Sequence, residues 1–206
     1  MSGLWLSPCI ALLPTVSLAQ SDCDPFLVRA RDEVVRIVDE RGAPLEGDAD
    51  AIRRIIDEKV RPHFDLAYGS SKLLARYWDD ATPDQRLAFV QAFYNWLVAG
   101  YGPLLIYFDD DTLELGTECL PSTRLDEVIV YQPGQLRLND DSLVALNFVL
   151  HEDDGHLLII DILADGISQV ASFRQQFESR LRREGLGAMI SWLEQEAELP
   201  NEQTGR

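Results

Sequence analysis

The feature that most constrains this fold is a long segment without a charged side chain. From Leu87 to Phe108, 22 consecutive residues lack Asp, Glu, Lys and Arg. A membrane span needs about 20 apolar residues, but Gln91, Asn95 and Pro103 interrupt this segment, and its aromatic residues are spread along it. We interpret it instead as a helix that is buried on most of its sides. A sheet can cover one side, and a bound apolar ligand is a candidate for another.

The periodicity of apolar residues divides the chain into helices, then strands, then helices. Thr82, Pro83 and Gln85 form a capping-box pattern that predicts the start of the long helix. Helical spacing predicts the other helices at Pro25–Arg41, Asp50–Val60, Ser71–Trp78, Ser168–Glu184 and Leu186–Leu199, with a short turn at His63–Tyr68. Alternation predicts about four strands, at Thr112–Cys119, Glu127–Tyr131, Leu143–His151 and Leu157–Leu163. This order predicts the α+β class.

The charge balance excludes several kinds of partner. The 206 residues include 18 Lys and Arg against 35 Asp and Glu, a net charge of −17. Such a chain repels phosphate backbones, so we expect no nucleic-acid partner. The same repulsion disfavours a protein that rests on an anionic bilayer. The length suits one domain.

The N-terminal segment is typical of a secretory signal peptide. The first 19 residues carry no charge, the stretch from Leu4 to Leu18 is largely apolar, and Ser17-Leu18-Ala19 is a small-x-small cleavage pattern. We therefore predict a signal peptide at residues 1–19, a mature domain at residues 20–206 and a periplasmic location. Removal of the signal peptide leaves Cys23 and Cys119. An even number of cysteines in an exported protein predicts one disulfide.

Two motifs carry a resemblance to a known family. One is the helix start Thr82-Pro83-Asp84-Gln85-Arg86, and the other is the turn from Asp161 to Ser168, which reads Asp-Ile-Leu-Ala-Asp-Gly-Ile-Ser. Together with Ile55–Pro62 upstream, they make the chain resemble the MlaC-type phospholipid carriers. These form the toluene-tolerance family of periplasmic ABC-transport auxiliary proteins. The resemblance covers about Pro25 to Leu193.

The resemblance implies a soluble shuttle without catalysis or a cofactor. It implies a phospholipid cargo, or a related lipid such as a hopanoid. It also implies two partners, an inner-membrane ABC transporter complex and an outer-membrane lipoprotein or porin complex. The fold implied is a curved antiparallel sheet packed by N-terminal and C-terminal helices, with the acyl chains in an internal apolar cavity.

The candidate lipid-binding residues are bulky apolar side chains of the sheet and the long helix. A diacyl lipid exposes about 30 CH₂ groups worth about 0.8 kcal/mol each, so leaving a bilayer costs on the order of 20 kcal/mol unless the protein covers them. Side chains alternate along a strand, which places four candidates on one face. The candidates are Val144, Leu146, Phe148 and Leu150, with Ile160 and Ile162 beside them, and Phe93, Leu97 and Tyr101 on the helix. Taken singly, each of them is better explained as an ordinary core position, whereas the charge-free helix and the resemblance favour a lipid site for the set.

Asp161 leaves a second class of function open, because it interrupts an otherwise apolar strand. A buried carboxylate must find hydrogen-bond partners or shift its pKa. If Asp161 acts as an acid or base in a pocket, the protein is predicted to be a small-pocket, cystatin-like enzyme. As a structural group, Asp161 ties the strand end to the next turn through backbone N–H groups, which the resemblance favours.

Two groups of polar residues invite a chemical interpretation that we reject. The segment from His151 to His156 reads as the solvated tip of a hairpin, and we expect no metal site there. His63 and Asp65 lie near the proline that ends a helix, without a nucleophile motif, so we expect an ordinary polar pair.

Overall fold

The computed structural model of the protein describes most of the chain after residue 25. The described residues are 26–41, 45, 47–107, 109, 111–116, 119–122, 129–138, 140–154 and 156–198. The predicted signal peptide, its cleavage site after Ala19, and Cys23 lie outside these ranges, so they stay predictions.

The helices occur in the predicted order. They are α1 (Phe26–Arg41), α2 (Ala49–Ile55), α3 (Leu66–Leu74), α4 (Arg76–Asp79), α5 (Pro83–Tyr101) and α6 (Gln169–Glu198). A π-helical turn (Ile56–Val60) and a 3₁₀ turn (Arg61–His63) extend α2, and a second 3₁₀ segment (Gly102–Tyr107) extends α5. The predicted break at Gly185 is present inside α6, where this glycine has φ 81°.

The helix predicted at Ser71–Trp78 is wrong in its bounds. The Asp65 side chain accepts a hydrogen bond from the Tyr68 backbone N–H at 2.8 Å, so an N-cap starts α3 at Leu66. The helix then breaks at Ala75, which has φ 49° and ψ −123°. Because apolar spacing continues across this break, periodicity alone did not locate it.

The long helix begins as predicted. The Gln85 N–H donates to Thr82 Oγ1 at 3.2 Å, and the Thr82 N–H donates to Gln85 Oε1 at 3.0 Å, which together form a capping box. The Gly102 N–H still donates to the Val98 carbonyl, and the α-helical ladder then stops because Pro103 has no N–H to continue it. Within the described residues, no helix combines the length and apolar character that a membrane crossing requires.

The sheet is open and antiparallel, and it confirms the predicted α+β class. Its strands are β1 (Leu113–Leu115), β2 (Leu120–Ser122), β3 (Ile129–Arg137), β4 (Leu143–Asp153), β5 (His156–Ala164) and β6 (Ile167–Ser168). Both β1 and β2 pair with the same edge of β3, so the sheet is five strands wide, in the order β1/β2, β3, β4, β5, β6.

The strand boundaries differ from the prediction along β3. We expected this strand to end at Tyr131, but it continues through Pro133 and Gly134 to Arg137. Pro133 has no N–H, yet its carbonyl accepts the Gly116 N–H at 2.8 Å, which preserves the contact with the neighbouring segment.

A β-bulge in β5 changes which of its side chains share a face. Leu150 pairs with Ile159 and Val149 pairs with Asp161, so Ile160 is an extra residue on β5. Paired residues of antiparallel strands point to the same face. Ile159 and Ile162 therefore lie on the face of Leu150 and Phe148, whereas strict alternation places Ile160 with Ile162.

The buried side chains form three separate clusters. The helical cluster centres on Phe89, Phe93, Phe177, Met189 and Leu193. The sheet cluster contains Leu27, Cys119, Val130, Leu146, Phe148, Leu150 and Ile159. The N-terminal cluster contains Val34, Val38, Leu45, Ala51 and Ile55. Apolar side chains that line the space between helices and sheet complete the interior.

Candidate functional site

A large cavity lies between the helices and the sheet. Its volume is about 1280 Å³, above the range of about 300–1,000 Å³ typical of small-molecule pockets. The helical wall includes Ile56, Val60, Phe93, Leu97, Val98, Tyr101, Leu104, Leu105, Val170 and Phe173. The opposite wall includes Phe64, Leu136, Leu138, Ile159, Ile160 and Ile162. The cavity is therefore lined largely by apolar groups from elements far apart in sequence.

The charge-free segment forms both a core element and a cavity wall. In the first part of α5, Phe89 and Ala92 are buried in the helical cluster. Further along the helix, Leu97 and Val98 are half-buried, Tyr101 is exposed, and all three line the cavity. The segment lacks charge because one part packs against protein and the other faces an apolar space.

Gly102 allows the chain after α5 to lie close to α2. A Cβ at this position would be 3.2 Å from Ile56 Cδ1 and 3.4 Å from Ile52 Cγ2, a separation tighter than ordinary van der Waals contact. The absence of a side chain therefore lets the 3₁₀ segment turn along the cavity, where Leu104 and Leu105 join the wall.

The structure brings together five of the nine predicted lipid-binding residues. Phe93, Leu97, Tyr101, Ile160 and Ile162 line the cavity. The other four, Val144, Leu146, Phe148 and Leu150, belong to the sheet cluster or pack against it and are absent from the cavity wall. For all nine residues, contact with a lipid stays a prediction.

The four β4 side chains are covered by protein from distant parts of the chain. Leu27 of α1 and Phe64 pack into the sheet cluster, and Arg31 Nη1 donates to the Leu113 carbonyl at 3.1 Å, which joins α1 to β1. Leu150 is fully buried. Alternation along β4 identified a buried face, but it could not indicate what covers that face.

Sequence reasoning missed much of the helical wall. Ile56 and Val60 lie four residues apart in a π-helical turn and both line the cavity. Val170 and Phe173, at the start of α6, also line it. Their apolar spacing was visible in the sequence, but the partner that each helix face would meet was not.

Asp161 lies in the cavity wall, and its carboxylate is bound by its own turn. Oδ1 accepts the N–H groups of Ile162 at 2.8 Å and Val170 at 3.0 Å, while Oδ2 accepts the Ser168 hydroxyl at 2.5 Å. Ser168 Oγ in turn accepts the Ala171 N–H at 2.9 Å. These contacts are the ones expected if Asp161 has a structural role, because they tie the end of β5 to the start of α6.

A second polar cluster surrounds Tyr94 in the same wall. The Tyr94 hydroxyl donates to Asp57 Oδ1. The guanidinium carbons of Arg53 and Arg61 lie 5.6 Å and 5.0 Å from the centre of the Tyr94 ring. Burial, followed by the hydrogen bond to Asp57, raises the pKa of Tyr94 well above its usual value. The phenol therefore remains a neutral donor that orders this part of the wall.

Asp65, in the cavity wall, pairs with His151 of β4. Asp65 Oδ2 lies 3.0 Å from His151 Nε2, and the Tyr68 ring lies 4.6 Å from the His151 ring. The Asp65 N–H also donates to the Ile159 carbonyl at 3.0 Å. These bonds fasten the start of α3 to the edge of β5. In the part of the chain that the structure describes, no group of three or more His, Cys, Asp or Glu side chains converges as a metal site would require.

Cys119 is buried and disulfide-bonded. The predicted partner, Cys23, lies outside the described residues, and the pairing of these two cysteines stays a prediction.

The comparison with known families decides the classification. The family model described as "MlaC protein" matches residues 29–195 of this chain. The chain belongs to the MlaC family. The resemblance drawn from the Thr-Pro-x-Gln-Arg and Asp-Gly-Ile-Ser motifs is therefore confirmed.

Two relatives illustrate this MlaC-family membership. The chain is 18% identical over 191 residues to the intermembrane phospholipid transport system binding protein MlaC of Haemophilus influenzae, covering 92% of this chain and 88% of that protein. Its structure is similar to that of the phospholipid-binding protein from Ralstonia solanacearum, which was solved in complex with a phospholipid. The TM-score is 0.71 at 20% identity, over 86% of this chain and 97% of that one. This likeness confirms the fold.

Proposed function

We propose that this MlaC-family protein binds a phospholipid, holds its acyl chains in the cavity and carries it between two membranes without catalysing a reaction. The observation that carries this proposal is the apolar cavity of about 1280 Å³ between α5 and β5. The Haemophilus relative is a phospholipid transport binding protein and the Ralstonia protein was solved with a phospholipid, and both support the choice of a phospholipid.

The energetic reason for such a cavity is the cost of exposing acyl chains to water. About 30 CH₂ groups at about 0.8 kcal/mol each amount to about 24 kcal/mol. A carrier must therefore replace most of the apolar contacts that the acyl chains make in a bilayer. A large apolar wall formed by α5, α6 and β5 can supply such contacts. The cavity also exceeds what a single small substrate needs.

The location and partners proposed here rest on the sequence. The signal peptide predicted at residues 1–19 supports a periplasmic carrier that works from residues 20–206. We propose an inner-membrane ABC transporter complex and an outer-membrane lipoprotein or porin complex as the sites of loading and unloading. A hopanoid is an alternative cargo of the same apolar class.

Recovery of the native protein tests the proposal. The protein is isolated from the periplasmic fraction without detergent, its N-terminus is sequenced, and organic extracts are analysed by lipid mass spectrometry. We expect a chain that begins at Gln20. We also expect about one phospholipid per protein, which is the stoichiometry of a tight complex with one site. A monodisperse, folded protein whose extract contains no lipid, and which takes up none from vesicles of phosphatidylethanolamine, would refute it.

A further inference from the structure

One end of the cavity is strongly acidic. The loops before β1 and between β3 and β4 place four exposed carboxylates in its lining, those of Asp109, Asp111, Asp140 and Asp141. Hydrogen bonds from nearby hydroxyl groups lower the pKa of Asp109 and of Asp140, so both stay ionised at neutral pH. Among the residues described at this end, Arg137 is the one cation in the cavity lining.

Arg61 places a cation at the other end, where the wall also contains the carboxylates of Asp65 and Asp161. Its exposed side chain lines the cavity, and its guanidinium lies over the Tyr94 ring at 5.0 Å. Among the described residues, no carboxylate lies within ion-pair distance of this guanidinium. Asp57 accepts the Tyr94 hydroxyl and lies 3.5 Å from Arg53 Nε, while Asp65 is paired with His151. Asp57 and Asp65 therefore have other partners, and Arg61 can bind an external anion.

The two ends are separated along β4. Arg137 pairs with Leu143, which marks the acidic end. Phe64, three residues after Arg61, bridges to Ile159, which pairs with Leu150. Leu143 and Leu150 are seven residues apart, or roughly 23 Å along a strand. The acyl chains of one bilayer leaflet span about 15 Å, half of a hydrocarbon core of about 30 Å, so a lipid fits lengthwise between the two ends.

We infer that the cavity orients its cargo, with the lipid phosphate at Arg61 and the acyl chains directed towards the acidic end. This inference rests on the proposed function, because it concerns the position of the same lipid. A guanidinium can form two parallel hydrogen bonds to phosphate oxygens. Repulsion disfavours the phosphate at the acidic end, where the described lining contains four carboxylates and Arg137. Exposed Leu138 and Tyr107 at that end provide apolar contact for the chain ends instead.

A headgroup competition tests this orientation. Delipidated protein is equilibrated with an equimolar mixture of dioleoyl phosphatidic acid and dioleoylglycerol, and the bound ratio of the two is measured by mass spectrometry. The two lipids have the same chains and differ only in the phosphate. We expect Arg61→Gln to lower the ratio of phosphatidic acid to diacylglycerol about fivefold, as for a partly exposed ion pair. Arg61→Lys should retain part of the preference, and added salt should weaken it in the wild type.

Two arginines serve as controls for the competition. Arg54 lies on the exposed side of α2 outside the cavity wall, so Arg54→Gln should leave the ratio unchanged. Arg137→Gln should also leave it unchanged, because the phosphate does not reach the acidic end. A ratio that falls in Arg137→Gln but not in Arg61→Gln would overturn the orientation. Equal ratios in the wild type and in Arg61→Gln would also overturn the orientation. If the wild type binds neither lipid, the proposed function itself fails.

Discussion

Residues of the cavity wall can be distinguished from residues of the packed core by substituting glutamine at one position of each. Val98 is half-buried in α5 and lines the cavity, but it belongs to none of the three packed clusters. Leu146 is only 9% exposed and lies inside the sheet cluster. Val90 is a matched control, since it lies on the same helix and is absent from the cavity wall. The variants are Val98→Gln, Leu146→Gln and Val90→Gln.

The expected magnitudes differ between lipid binding and folding. In Val98→Gln, an unpaired amide against acyl chains should cost roughly 1–3 kcal/mol of binding, or about 5- to 150-fold in affinity. The empty protein loses little, because the amide faces a cavity open to water. Leu146→Gln removes a buried apolar side chain and buries an amide, which should cost about 3 kcal/mol or more of unfolding free energy. That corresponds to a melting temperature lower by roughly 6–12 °C.

The assay records two quantities for each variant. One is the affinity for dioleoylphosphatidylethanolamine, measured by displacement of a fluorescent lipid, and the other is the melting temperature of the delipidated protein. We expect Val98→Gln to lose affinity with a nearly unchanged melt, Leu146→Gln to lose stability, and Val90→Gln to change neither. Wild-type affinity in Val98→Gln would exclude this part of α5 from the lipid site. Equal losses of affinity in Val90→Gln and Val98→Gln would exclude it as well.

Three other predictions concern the scaffold around the cavity. Asp161→Asn keeps one acceptor oxygen of the two that hold the turn, so it should lower stability by about 1–3 kcal/mol while lipid still copurifies; retained lipid with an unchanged melt would contradict this. Ala75→Gly should raise the melting temperature by roughly 2–4 °C, because Ala75 has φ 49° and glycine adopts such a backbone without strain; a lower midpoint would show that Ala75 is unstrained. Alkylation without reductant should add nothing to the mature protein, because we expect Cys23 and Cys119 to be bonded, with a stabilisation of about 2–4 kcal/mol; two adducts in the intact mass would exclude the bond.

Much of the local structure could be predicted because its causes are local. The capping box at Thr82 and Gln85 forms from residues three positions apart, and Pro103 ends α5 through its own backbone. Similarly, Asp161 and Ser168 meet across a turn of seven residues. The absence of charged side chains from Leu87 to Phe108 is also a local property of the sequence, and it indicates apolar surroundings whatever supplies them.

The tertiary structure decided which apolar faces enclose the cavity and which fill the core. The face of β4 that includes Leu146 is covered by Leu27, 119 positions earlier in the chain, whereas Val98 faces open space. A bulge at Ile160 realigns the side chains of β5. The Asp65–His151 pair joins residues 86 positions apart. Hydrophobic periodicity shows that a face avoids water, but the same pattern suits protein and lipid equally. Only the packing of distant segments determines which of the two that face meets.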